Sequence, residues 1–388
     1  MHRLKRVEPI ERAQELLQNY SDELRDLIPA DCPVFDAHVH LGTDIDGFFG
    51  TSEELASIMS RFGIDRAFMF CLDEPDRHPA FRAANDRTLE YAEQSEGRLI
   101  PFVRLDLAEG PVEEAKRCLD LGARGIKLHP RAQGFLLNDE RLDPIFALAS
   151  ERKVPILIHG GRGLPPIANE LATLVDRHDD AQLIIAHAGI ADLAALARNF
   201  SGKSGVFFDT STWSPIDLLA FYRLIPPEQV LYASDYPYGR QPNSLHIALQ
   251  TARVAGFDPI QTRNMLWVNA SRIAAGEVPL EPTRPLGGNV YAQSLQLARI
   301  HQYLSMATPL LWTRQPDTIG VLGLALNTCG EQDGHPQQID RIRELIETAR
   351  DLWLALPEVE EAQAFDARRM TFSLIHMADI LAVTTVED

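Results

Sequence analysis

Eight short apolar runs, each followed by a helical stretch, constrain this chain of 388 residues more than any other feature. The runs are 34–40, 66–71, 99–105, 124–129, 154–159, 182–187, 205–209 and 230–235. They are rich in Val, Ile and Leu and mostly lack polar alternation, so both faces of each strand must be buried. That is the signature of a parallel sheet covered by helices. Intervening segments such as SEELASIMSRFG and PVEEAKRCLDLG carry helical periodicity. Several of these stretches end at Gly63, Gly97 and Gly122, where glycine accepts the left-handed C-cap conformation. Eight such units in series predict a closed (β/α)8 barrel over residues 33–276. A doubly wound open sheet would more often carry a glycine-rich dinucleotide turn after its first strand, and none is present.

The flanks are helical. Residues 1–32 form an N-terminal segment with Ile10, Ala13, Leu16, Leu17, Tyr20, Leu24 and Ile28 on a helical spacing. A Pro/Gly-rich stretch, 277–288, reads as a linker. Residues 289–388 read as an all-helical C-terminal extension, with a stripe at Ile339, Ile342, Leu345, Ile346, Ala349, Leu352, Trp353 and Leu356. An amphipathic helix must bury its apolar side. The expectation is a homodimer built partly from this extension, with a brace or a lid over the barrel mouth as alternatives.

Composition removes whole classes of function. A net charge of −18 argues against a nucleic-acid partner and an electrostatic membrane anchor. No apolar run approaches the ~20 residues that span a bilayer. Cys32, Cys71, Cys118 and Cys329 are far apart and form no CxxC, as expected of free thiols in a reducing compartment. With no apolar leader visible at the N-terminus, the expected location is cytoplasmic.

Metal-capable side chains close several of the apolar runs. His38 and His40 close FDAHVH, His159 closes VPILIH, His187 closes LIIAH, and Asp235 closes VLYASD. In a parallel barrel these C-terminal strand ends gather around one mouth, where such folds place their chemistry. Two residues apart on a strand, His38 and His40 share a face and can share one divalent ion. Lys127 and His129 share a face in the same way. Lys127 must be paired or neutralised in a barrel interior, and His129 is either a site residue or a partner of the loop backbone. Arg131, and less so Arg104, could clamp a substrate carboxylate. Trp213 and Tyr236 lie just past the last two strands as wall residues or packing. His78, His178, His246, His301, His335 and His376 receive no chemical role.

The segments FDAHVH, GIKLHP, ILIHGG, IIAHAG and ASDYPYG, in this order, resemble the metal-dependent amidohydrolase superfamily. The likeness is greatest to its TIM-barrel branch that includes aminocarboxymuconate-semialdehyde decarboxylase. It covers about residues 33–275. The resemblance implies that His38, His40, His159 and Asp235 bind the metal. It implies that Asp235 also shuttles a proton and that His187 polarises water or substrate. It further implies one divalent ion, Zn2+ or else Mn2+, with a second ion if Lys127 is carboxylated.

The function expected on this footing is hydrolysis of a small carbonyl compound, an amide, lactone or ester, by metal-activated water. The first alternative is non-oxidative decarboxylation of an aromatic or enol carboxylic acid. The second is a barrel without catalysis. The remaining substrate contacts are expected from Lys127, His129, Arg131, Trp213 and Tyr236, with a small molecule as the ligand.

Overall fold

The computed structural model of the protein describes residues 8–288, 293–313, 315, 317–331 and 335–385. The leaderless reading of the first seven residues and the start of the extension at 289–292 lie outside them.

Eight parallel strands follow one another in chain order around a (β/α)8 barrel: Val34–Thr43, Ile64–Cys71, Leu99–Arg104, Gly125–Leu128, Ile156–Ile158, Leu183–Ile185, Val206–Asp209 and Val230–Leu231. A two-residue antiparallel strand, Phe49–Gly50, adds to the first. The expected eighth run, 230–235, contributes only two ladder residues before the chain bends. Closure is made beyond them. Ala37 N donates to Tyr232 O at 2.8 Å, Asp235 N to His38 O at 2.9 Å, and His40 N to Tyr236 O at 2.7 Å. A parallel bridge joins Val39 to Tyr236.

Inside the barrel, side chains alternate from a dry floor to a polar mouth with the period of two that a strand imposes. Phe35, Phe68, Phe102, Leu157, Ile184 and Phe207 are buried together in the floor. Two residues further along their strands stand Arg104, His159 and Asp209. Gly125 is required there, since a Cβ would lie 2.5 Å from the Phe102 ring. The first strand needs a correction of phase. Its register shifts between Asp36 and Val39, a bulge that re-aims the side chains beyond it. Phe35 and Ala37 thus face the floor while His38 and His40 also reach the interior.

Helix Glu8–Leu27 packs under the extension helices Pro336–Ala355 and Glu361–Thr384, and the last also lies on the barrel helices Pro215–Leu224 and Asn243–Ala255. The apolar stripe at Ile342, Leu345, Ile346, Ala349 and Leu352 is fully buried within the chain itself. Arg341 pairs with Glu23 at 2.7 Å and lies over the Tyr20 ring. Among the described residues no helix is long and apolar enough to cross a membrane. The four cysteines are free, three of them buried.

Candidate metal centre

The first strand brings His38 and His40 together so that their Nε2 atoms are 3.2 Å apart. Asp235 Oδ1 lies 3.2 Å from each. Ligand atoms at opposite ends of a tetrahedral edge, with bonds of ~2.0–2.1 Å, are separated by roughly 3.4 Å. The three atoms therefore form one face of such a site.

The proton positions fit a metal as well. Nδ1 of His38 is 2.8 Å from Asp209 Oδ2, and Nδ1 of His40 is 3.3 Å from the Cys71 carbonyl. Both acceptors assign the ring proton to Nδ1 and leave the Nε2 lone pair facing the cluster. Nδ1 of His187 donates to Ser211 O at 2.8 Å, and a ring nitrogen of His187 lies within 4.8 Å of ligand atoms of His38 and Asp235. His159 stacks on His129, with centroids 3.9 Å apart, and meets His187 edge-on at 4.6 Å. Its Nε2 is buried without a hydrogen-bond partner, a costly state unless something is coordinated there. Donor chemistry, spacing and this orphaned atom all fit a divalent cation.

Burial dominates the acid–base behaviour. It holds His38 and His40 well below the usual imidazole value, with the Lys127 charge adding to the effect. His129 and His159 are lowered for the same first reason. Burial pulls Lys127 down to about 7, against the attraction of Asp209 and Asp235. It pushes Asp235 up to about 7, opposed by His187 and Lys127. Both His187 and Asp235 have left-handed backbones, with φ of 58° and 60°. A side-chain-bearing residue pays about 1–3 kcal/mol for this, a strain that clusters at functional sites.

The other expected contacts are distributed unevenly. Lys127 Nζ is 3.3 Å from His38 Nε2 and 4.6 Å from the Phe70 ring centroid. His129 Nδ1 caps the short helix Pro130–Gln133 by accepting from Ala132 N at 3.2 Å. Arg131 is exposed and lies against Gly163. Trp213 lines the cleft that holds His159, His187 and Asp235. Tyr236 is turned away, its hydroxyl donating to Glu54 Oε2 at 2.8 Å because its ring packs against Gly50. Tyr238 instead stands beside His40, with ring centroids 5.8 Å apart.

Sequence reading missed Asp209, which closes the seventh strand as the histidines close theirs. It is fully buried, its Oδ1 accepting from His187 N at 2.8 Å and from Ser211 N at 3.0 Å. It also missed Asp36, whose Oδ1 accepts from Ser234 N at 2.9 Å and which burial raises to about 7. His301, given no role, lines the same cleft and pairs with Asp379 at 2.6 Å. A second group able to hold a cation, His78 with Asp106 and Glu109, has an exposed histidine and two half-buried carboxylates.

Residues 36–273 match the family described as Amidohydrolase. The chain belongs to the amidohydrolase family. No curated protein matches it. Among solved structures, this amidohydrolase is similar to IDCase of Metarhizium anisopliae at 16% identity, covering 64% of this chain and 98% of that one, with a TM-score of 0.48. It is similar to the 4-oxalomesaconate hydratase LigJ of Rhodopseudomonas palustris at 17% identity, covering 63% and 96%, with a TM-score of 0.46. An amidohydrolase of Burkholderia multivorans matches at 15% identity, covering 64% and 100%, with a TM-score of 0.49.

Proposed function

We propose that this amidohydrolase hydrolyses a small amide, lactone or ester with the help of one divalent metal ion. The observation that carries the reading is the 3.2 Å triangle of His38 Nε2, His40 Nε2 and Asp235 Oδ1, with His159, whose buried Nε2 has no hydrogen-bond partner, lining the cleft that also holds Asp235. His38, His40, His159 and Asp235 would hold the ion. When bound, it supplies Lewis acidity and brings the pKa of a water near 7.

The residues provide the rest. Asp235 is placed to take a proton at a carboxylate oxygen and return it to the leaving nitrogen or oxygen. His187, fixed through Nδ1 by Ser211, orients the reacting carbonyl from across the cluster. Lys127 balances the charge of Asp209 and Asp235 when protonated. When neutral, it has the free amine that carboxylation requires, which is the condition for a second ion. Zinc is the ion favoured by the nitrogen-rich donor set, with manganese as the competitor. Trp213, which lines the cleft, would meet the substrate, with Arg131 and His129 as the further contacts of this reading.

The test is metal analysis of the purified protein combined with a screen of lactones, amides and aromatic acids. The expected result is about one divalent ion per chain and release of acid from a lactone or amide. A folded protein that takes up no zinc or manganese would overturn the metal reading. Release of CO2 from an aromatic acid, with no turnover of lactones or amides, would replace hydrolysis by decarboxylation.

A further inference from the structure

A cavity of about 230 Å3 lies between the ends of the last two barrel strands and the extension helix Glu361–Thr384. Its walls are largely apolar: Trp213 and Ile247 from the barrel, Leu311, Phe365 and Phe372 from the extension. An enclosed apolar space of about 150 Å3 already suffices for a benzene ring.

Three arginines, Arg240, Arg368 and Arg369, line this cavity, and no acidic residue lines it among the described residues. That is unexpected in a chain of net charge −18. Arg240 is answered by Glu54, outside the cavity. Arg369 lies over the Phe365 ring at 4.4 Å and donates to Pro237 O at 3.4 Å. Burial, with Arg240 nearby, lowers Arg369 to about 10, so the cations are crowded. Two polar atoms on lining residues are buried with no hydrogen-bond partner: Arg240 Nε, a donor, and Asn243 Oδ1, an acceptor. Asn243 is only 4% exposed, and its amide nitrogen already serves Ser373 O at 2.8 Å. The orphaned donor Arg240 Nε can be answered by an anion, whereas the acceptor Asn243 Oδ1 calls for a water or hydroxyl donor.

We propose that this cavity binds an amphipathic organic anion, its ring or branched apolar body enclosed beneath the extension and its acidic group against Arg240, Arg368 and Arg369. Ser211, Thr212 and Trp213 line both this cavity and the cleft of His187 and Asp235. The cavity and the cleft are therefore neighbours that share one wall. Leu311, Phe365, Arg368, Arg369 and Phe372 come from the extension, beyond residue 273, where the family match ends. Binding at the cavity stands apart from the hydrolytic reading, and the test separates the two.

Isothermal titration of the full-length protein with benzoate, acetate and benzyl alcohol supplies the charge and the body together and apart. Benzoate should bind saturably and at least tenfold more tightly than either of the others. Ser373→Phe, which fills the cavity, and Arg369→Gln should each weaken benzoate at least tenfold with metal content and circular dichroism unchanged. Phe372→Ala should shift preference toward 2-naphthoate, and it decides the matter if Ser373→Phe does not fold. Asp235→Asn should retain benzoate affinity even where activity is lost. Benzoate binding no tighter than acetate, affinity untouched by the cavity variants, or affinity lost with Asp235→Asn would each overturn the proposal. The last outcome would place the anion at the metal cluster instead.

Discussion

The floor and the mouth of the barrel are made by the same strands, two residues apart, and they solve opposite problems. At the floor, Phe35, Phe68, Phe102 and Phe207 bury rings with nothing to satisfy, each contributing about 1.5–3 kcal/mol of burial. At the mouth, Arg104, Lys127 and Asp209 are just as buried but carry charge, which stabilises nothing unless it is partnered. The strained backbones of His187 and Asp235 belong to the mouth as well. The floor holds the barrel together, and the mouth draws on that stability to keep unfavourable groups in place.

The sharpest break between the two is made at Asp235. Asp235→Asn should lower turnover by about 10²–10⁴-fold, the range for a lost general acid–base group, while thermal unfolding barely changes. A large fall in stability would mean that Asp235 belongs structurally with the floor. The converse change, Phe68→Ala, should cost about 3–5 kcal/mol in urea unfolding, with any surviving folded protein keeping its metal. Asp209→Asn probes the boundary, since it removes the acceptor that fixes the His38 tautomer. Zinc affinity should fall by about 10–100-fold, measured by competition with a chelator, with the fold intact. Unchanged affinity would show that Asp209 is a strand cap only.

The smallest expected effect is a pH dependence that arises above the mouth, because the floor has nothing to titrate. His376 is buried, donates from Nε2 to Trp213 O, and is lowered to about 4 by burial. An unfolded histidine binds its proton near 6.5, so between these values the unfolded chain holds more protons and stability rises with pH. His376→Gln should flatten the rise in Tm over this window by a few degrees. If the slope persists, it comes from other buried histidines.

The strands were legible because unbroken Val, Ile and Leu runs have few other uses, and the clustered histidines because each closes such a run. Asp209 carried the same signal and was passed over, since a carboxylate at a strand end also reads as an ordinary cap. The bulge beyond Asp36 was not legible, as alternation alone assigns His38 and Phe35 to opposite faces. Tyr236 and Tyr238 differ only in which way a bent segment turns them. His301 and Asp379 meet across 78 residues, and nothing local records that meeting. For the extension, periodicity showed that a face had to be covered but not that helix Glu8–Leu27 and the barrel would cover it.

The closure of the barrel has a consequence for how the molecule comes into being on the ribosome. Asp36 accepts from Ser234 across 198 residues, and His38 O and His40 N bond to the backbone of Asp235 and Tyr236. A nascent chain that has delivered every histidine of the cluster still lacks both the last strand and the carboxylate. Assembly of the centre must wait for the same event that shuts the barrel. The roof over the neighbouring cavity arrives later still, with residues 361–384. Chains arrested between these two points should be closed and metal-competent but open above the mouth, which makes the order of synthesis an order of acquired selectivity.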